Sequence, residues 1–290
     1  MSSPTEPAPE DQAADDPTPG ESAEGPLPPV PRRTPREVLI LILIGVIGGV
    51  LSGGFGVGGG IIMIPLLTTV AKLDHRRAAA TSLVAIIPAA VVGTVTYGLA
   101  GHVDLIAAVL IAAGGVVGSF IGVRLLRRLS LAWLRWLFIG LLLLVAARLF
   151  FEIPARTGGI ALTPVSIPGL LVLGLVIGIA SGLFGIGGGV IIVPILVALF
   201  GAGDLLAKGT SLLAIIPGAL TGTVQNARAG LVDVIDGTIV GVTAAIATFG
   251  GVALASALSP QLATILFAVL LLAATVQLVV RAIRDERARS

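Results

Sequence analysis

The chain has 290 residues, of which 56% are hydrophobic and only 12% charged, with a mean hydropathy of +1.06. A soluble domain carries roughly twice that charged share, so composition excludes an ordinary soluble protein and points to an all-α polytopic membrane protein. Cysteine is absent, which removes disulfides, thiolate nucleophiles and cysteine metal sites. The net charge of +2 comes from arginines at predicted helix ends, a topology signal rather than a nucleic-acid patch.

Residues 1–34 are rich in Pro, Glu, Asp, Ser and Ala. Such a segment cannot bury enough apolar surface to fold and reads as a disordered tail. It is acidic and has no apolar stretch, unlike a signal peptide. Apolar runs then predict helices over 38–54, 60–71, 78–99, 103–127 and 132–151. Several approach the ~20 residues needed to cross a bilayer core of ~30 Å. A polar stretch bearing Pro and Gly, 152–166, leads to a second series over 167–183, 189–200, 206–227, 232–257 and 260–283. The expected organisation is a cytoplasmic tail (1–34), a five-helix unit (35–151), an extracytoplasmic linker (152–166), a second five-helix unit (167–283) and a cytoplasmic tail (284–290).

Shifted by 129 positions, the sequence aligns with itself without a gap. Ser52-Gly53 falls on Ser181-Gly182, Gly58-Gly59-Gly60 on Gly187-Gly188-Gly189, and Pro65 on Pro194. Thr81-Ser82-Leu83 meets Thr210-Ser211-Leu212, and Val103-Asp104 meets Val232-Asp233. Identity across 45–130 is roughly 40%, beyond what shared hydrophobicity produces. Five crossings per half force the second half to insert upside down, so the expected fold is two inverted repeats of five transmembrane segments, as in many secondary transporters.

The second segment of each half is short, and a re-entrant hairpin is the competing reading. Ten crossings place Arg32, Arg33, Arg36, Lys72, Arg76, Arg77, Arg124, Arg127, Arg128, Arg135, Arg228, Arg281, Arg284, Arg287 and Arg289 on the side of the N-terminus. Only Arg148, Arg156 and Lys208 fall opposite. The positive-inside rule therefore favours ten crossings with both termini cytoplasmic in a bacterial plasma membrane. Arg76 and Arg77 also become Leu205 and Leu206 in the second half, where that loop faces outward.

The sharpest constellation is Ser52-Gly-Gly-Phe-Gly-Val-Gly-Gly-Gly60 with Pro65, repeated as Ser181-Gly-Leu-Phe-Gly-Ile-Gly-Gly-Gly189 with Pro194. Such glycine runs break a helix, and broken backbone in a membrane survives only where protein or a wet cavity satisfies it. Each break exposes N–H groups at the start of the next helix, an anion site that needs no charged side chain. The candidate substrate-binding residues are Ser52, Gly56, Gly58, Gly59, Gly60 and Pro65, with Ser181, Gly185, Gly187, Gly188, Gly189 and Pro194. The competing reading is a seam of small residues for tight helix packing. Gly54–Gly59 also fits a dinucleotide fingerprint, but no strand precedes it and Leu183 breaks the pattern in the second half.

Thr81, Ser82, Thr210 and Ser211 add hydroxyls suited to an anion, or to helix capping. Gln225 and Asn226 are neutral donors on the helix of Thr210. Asp104 and Asp233 fall at helix starts, where capping is the first expectation. With Asp236 they are the candidates for proton coupling. Gly201-Ala-Gly-Asp204 mimics an intramembrane aspartyl protease motif, but no second aspartate lies deep in a span. No lysine or arginine is placed at the centre of a span, which is why backbone amides are expected to hold the anion.

The duplicated Ser-Gly-x-Phe-Gly-[Val/Ile]-Gly-Gly-Gly with its proline, together with the Thr-Ser-Leu and Ile-Ile-Pro elements, resembles the TauE/SafE sulfite exporter family over about residues 38–283. The resemblance implies a secondary transporter of a small sulfur-containing or carboxylate anion, such as sulfite or an organosulfonate. The expected partners are that anion, the lipid bilayer and protons as coupling ion, with homo-oligomerisation left open. No cofactor and no enzymatic activity are expected. A passive anion channel and a non-transporting membrane scaffold are the alternatives.

Overall fold

The computed structural model describes residues 33–126 except 74, five positions within 136–147, and residues 158–184, 187–228 and 230–287. Among these there are nine helices and no strand. They are α1 (Pro35–Phe55), α2 (Gly60–Thr69), α3 (His75–Leu99), α4 (Leu105–Leu126), α5 (Ser166–Phe184), α6 (Gly189–Phe200), α7 (Asp204–Arg228), α8 (Val234–Ala257) and α9 (Pro260–Arg287). Each matches an expected segment to within a few residues. The helix expected over 132–151 and the tail 1–32 lie outside the described residues, apart from the five positions above. Five helices contain a stretch long and apolar enough to cross a membrane: α1, α3, α7, α8 and α9.

Local chemistry explains the ends. Thr34 caps α1: its Oγ1 accepts from Glu37 N–H at 3.3 Å while Glu37 Oε2 accepts from Thr34 N–H at 2.9 Å, a reciprocal box with Pro35 at the first helical position. α3 and α7 end alike. His102 N–H returns to Tyr97 O at 2.8 Å and Leu231 N–H to Asn226 O at 3.0 Å, with Gly101 and Gly230 left-handed. These residues are repeat mates.

Polarity is arranged inside out. Ser52, Thr81, Ser82, Thr210, Ser211 and Thr248 are fully buried, while Leu99 is 87% exposed and Val165 80%. An apolar exterior around a small-polar interior suits a lipid solvent, in which the outside gains nothing from charge.

Glycine contacts set the direction of each helix. Along α1, Gly45 meets Val240 and Thr243, Gly49 meets Ala244, and Gly53 meets Thr248 and Val252. Both numbers rise together, so α1 and α8 run parallel. A Cβ on any of these glycines would overlap backbone of α8 or the Thr243 hydroxyl. The same seam joins α4 to α5, where Gly174 meets Ile111 and Gly178 meets Gly115. Gly174 and Gly178 are the mates of Gly45 and Gly49. α3 also runs parallel to α8, through Val84 with Gly237 and Pro88 with Gly241. It runs antiparallel to α7, through Leu83 with Gly222, Gly93 with Leu212 and Tyr97 with Gly209. These pairs converge on Pro88 and Pro217, which are themselves mates.

α1 and α3 thus point the same way, and the chain between them must return. Seven residues beyond Gly48, or about 10 Å of helix, α1 ends at Phe55. Gly59 nevertheless lies against the Gly48 carbonyl. The glycine loop therefore folds back along α1 before α2 adds its 10 residues, about 15 Å. Loop and helix together make the return leg, which accounts for a second segment too short to cross alone.

Candidate functional site

The first break opens where Gly56 closes α1 in a left-handed conformation at φ 69°, its N–H donating to Ser52 O at 2.8 Å. Gly58 and Gly59 follow at φ 79° and 74°, and Gly59 is the N-cap of α2. In the second half Gly187 and Gly188 stand at φ 79° and 78°, and Gly188 caps α6. An L side chain in this region costs about 1–2 kcal/mol, which is why glycine is repeated here. Neither helix start has a side-chain cap. The N–H groups of Ile62 and Met63 return to Gly59 O, and those of Ile191 and Ile192 to Gly188 O. That leaves Gly60, Ile61, Gly189 and Val190 as N–H groups with no acceptor inside their helices.

The two breaks meet. A Cβ on Gly189 would lie 2.8 Å from Gly56 O and from the Val57 carbonyl. A Cβ on Gly58 would lie 2.6 Å from Ile215 Cδ1 and 3.3 Å from Ile86 Cγ2, and one on Gly187 3.0 Å from Ile86 Cδ1. Ile86 and Ile215 are repeat mates, so a matched apolar pair sits between matched glycine turns. The seam reading of the glycines holds beside this one, but for Gly45, Gly49 and Gly53 rather than for the turn residues.

The other expected residues divide. Ser211 Oγ donates to Gly56 O at 2.9 Å, which ties α7 to the first break. Thr210 Oγ1 accepts from Asp104 N–H at 3.0 Å and so faces the α3–α4 loop. The hydroxyls of Ser52, Thr81 and Ser82 are buried and have no hydrogen-bond partner. Ser181, Gln225 and Asn226 are half-buried, and Gly185 lies outside the described residues. Pro65 and Pro194 sit inside α2 and α6. The Pro65 carbonyl accepts from Thr68 Oγ1 at 2.9 Å and Thr69 Oγ1 at 2.7 Å, so this proline shapes the helix rather than the turn. Asp104 Oδ1 accepts from Ala107 N–H at 2.9 Å, and Asp233 Oδ1 from the N–H groups of Ile235 and Asp236 at 3.1 Å each. Both therefore cap helices. Asp236 is 1% exposed.

Sequence reasoning missed three neighbours. Tyr97, fully buried, donates its hydroxyl to Gly53 O at 2.7 Å. Asp204 and Lys208 are each 4% exposed and form an ion pair, Nζ to Oδ2, at 3.3 Å. The backbone of Lys208 lies against the first break: a Cβ on Gly56 would be 2.6 Å from Lys208 Cα. Lys208 stands near the start of α7 and not at the centre of the span, yet it brings a charge beside the first break. The available signal was the charge itself, since an ionisable residue within an apolar span is seldom idle.

A family model described as sulfite exporter TauE/SafE matches residues 14–149 and 170–290. A probable membrane transporter protein of Xylella fastidiosa (strain 9a5c) is 31% identical over 216 residues, covering 69% of this chain and 78% of that protein. The probable membrane transporter protein YunE of Bacillus subtilis (strain 168) is 28% identical over 218 residues, covering 67% of this chain and 80% of that protein. No solved structure matches.

Proposed function

Because this chain belongs to the sulfite exporter TauE/SafE family of membrane transporters, we propose that it is a secondary transporter moving a small anion across a bacterial plasma membrane. The substrate class is sulfite, an organosulfonate or a related sulfur-containing or carboxylate compound. The observation that carries the reading is the meeting of two uncapped helix starts, α2 and α6, where Gly189 abuts Gly56 and Val57. Four N–H groups and two helix dipoles gather there without a side-chain acceptor. The partnerless hydroxyls of Ser52, Thr81 and Ser82 are further donors of the kind an oxyanion takes.

An inverted arrangement of the halves fits the helix directions. The mates α3 and α7 run opposite ways, as a two-fold axis in the membrane plane requires. α1, α3 and α8 share one direction, which favours ten crossings over a re-entrant hairpin. The arginine distribution then puts both termini in the cytoplasm. Breaks of this kind offer alternating access a fixed central site. Asp236, buried at the start of α8, is a candidate for proton coupling alongside Asp104 and Asp233.

The test is counterflow of labelled sulfite in proteoliposomes, which a passive channel does not give. Leucine at Gly59 or Gly188 would collide with Gly48 or Ile177, so Gly187→Ala is the cleaner probe, since its Cβ meets only the mobile end of Ile86. It should fold and lose at least about tenfold in flux, because the amides are displaced from their working geometry. Unchanged flux in the folded variant would sink the backbone-amide site. Absence of counterflow in the wild type with sulfite, sulfonates and carboxylates would sink the transport reading.

A further inference from the structure

The buried Asp204–Lys208 pair has no part in the glycine turns, yet it stands against one of them. Asp204, Lys208 and Ser211 recur at i, i+4 and i+7 and so form one stripe of α7. Ser211 from this stripe holds Gly56 O, and the Lys208 backbone touches Gly56. The stripe lies on one side of the molecule. Lys208 is nine residues from Pro217, where α3 and α7 cross, or about 13 Å along the helix. It lies toward the side on which α1 and α3 end. The opposite side has no equivalent, because the mates of Lys208 and Asp204 are Ala79 and His75. One observation separates the pair from a structural ion pair. Asp204 Oδ2 meets Lys208, but Asp204 Oδ1, equally enclosed, accepts no hydrogen bond. A carboxylate half-satisfied in a low dielectric is poorly compensated.

We propose that Lys208 captures the transported anion on this side of the membrane and that Asp204 takes up one proton when it does so. This rests on the transport reading and gives it a charged residue and a coupling stoichiometry. The charge balance is direct. The empty pair is neutral, with Lys208 positive and Asp204 negative. A univalent anion that takes Lys208 from Asp204 leaves the enclosed site at −1, which burial penalises. One proton on Asp204 Oδ1 restores neutrality. When the anion leaves, Lys208 pairs again with Asp204 and the proton is released. Among the described residues, the neighbours bring three ionisable residues against this part of α7. Tyr97 packs on Gly209 with its hydroxyl committed to Gly53, His102 presents its carbonyl to Gly209, and Asp104 presents its N–H to Thr210.

The probe is methanesulfonate, whose charge is constant between about pH 5 and about pH 8, so a pH dependence of its binding comes from the protein. Its binding is read as the ligand-dependent rise in melting temperature of the full chain in detergent. In the wild type, affinity should increase by up to about tenfold per unit fall in pH. D204N should bind with no pH slope. K208M should lose at least about thirtyfold in affinity. The double variant K208M/D204N, which removes both charges and leaves no lone buried ion, guards against misfolding and should bind as poorly as K208M. Wild-type affinity in the folded double variant, a retained pH slope in D204N, or a wild type unmoved by methanesulfonate, sulfite and sulfate would each overturn the proposal. Sulfite counterflow separates the two ideas: flux that persists in K208M/D204N defeats this inference alone, whereas binding without flux in the wild type defeats the transport reading.

Discussion

The starts of α3 and α7 share the sequence Thr-Ser-Leu and the same register 129 residues apart, but they are wired differently. In α7, Thr210 accepts the Asp104 N–H and Ser211 donates to Gly56 O. In α3, the hydroxyls of Thr81 and Ser82 are just as buried and have no partner. One turn earlier α7 carries Lys208, where α3 carries Ala79. The backbone frame is duplicated and the chemistry is not. Repetition supplies the matched seams and breaks, and divergence gives the two third helices unlike chemistry.

The largest effects should come where the halves are alike. Gly49→Val and Gly178→Val each thrust a branched side chain into a carbonyl of the facing helix, Ala244 in one seam and Gly115 in the other. A seam of backbone has nowhere to move, so each variant should lose about 3 kcal/mol of stability, read as unfolding of the purified protein in detergent. The two losses should agree closely. A loss confined to one seam would show that the halves are not equivalent in packing.

Intermediate effects should expose the difference between the third helices. Thr210→Val strips Asp104 N–H of its acceptor and should cost about 1–3 kcal/mol. Thr81→Val removes a buried hydroxyl that bonds to nothing, so stability should stay level or rise by about 1 kcal/mol. If Thr81 serves the anion, the same variant loses sulfite flux while it melts no earlier. Equal destabilisation by both substitutions would mean that Thr81 has a structural partner and would remove it from the site.

Much of this was legible in the sequence because it depends on local pattern. The helices follow from apolar runs, the breaks from clustered glycines, and the duplication from an ungapped offset. What was not legible depends on contacts between distant residues. Identical Thr-Ser-Leu motifs give no hint that only one reaches a partner, since that partner lies 106 residues away for Thr210 and 155 for Ser211. Lys208 reads as a charge near the end of its span when that span is counted from 206, and the backbone of Gly56 packed against it is not visible in the sequence. The glycines of α1 likewise announce close packing, but nothing in their spacing says that Gly45, Gly49 and Gly53 face α8.

The smallest effect lies at the ends of the short helices, where the halves solve one problem with different residues. After α2, Leu73 N–H returns to Leu67 O at 3.0 Å, and after α6 its mate Ala202 returns to Leu196 O at 3.0 Å. Both turns need a left-handed residue just before that donor. The second half uses Gly201 at φ 67°, and the first forces Lys72 to φ 55°. Lys72 is exposed, so its substitution disturbs no packing. Lys72→Gly should relieve part of the 1–2 kcal/mol left-handed penalty, offset by the greater freedom of glycine in the unfolded chain, for a net gain of at most about 1 kcal/mol. Gly201→Ala should lose a similar amount, since its Cβ would meet nothing within 4 Å and conformation alone opposes it. If Lys72→Gly instead destabilises the protein, the lysine is held in that strained geometry by something its side chain does, and the positive charge at this turn has a role beyond topology.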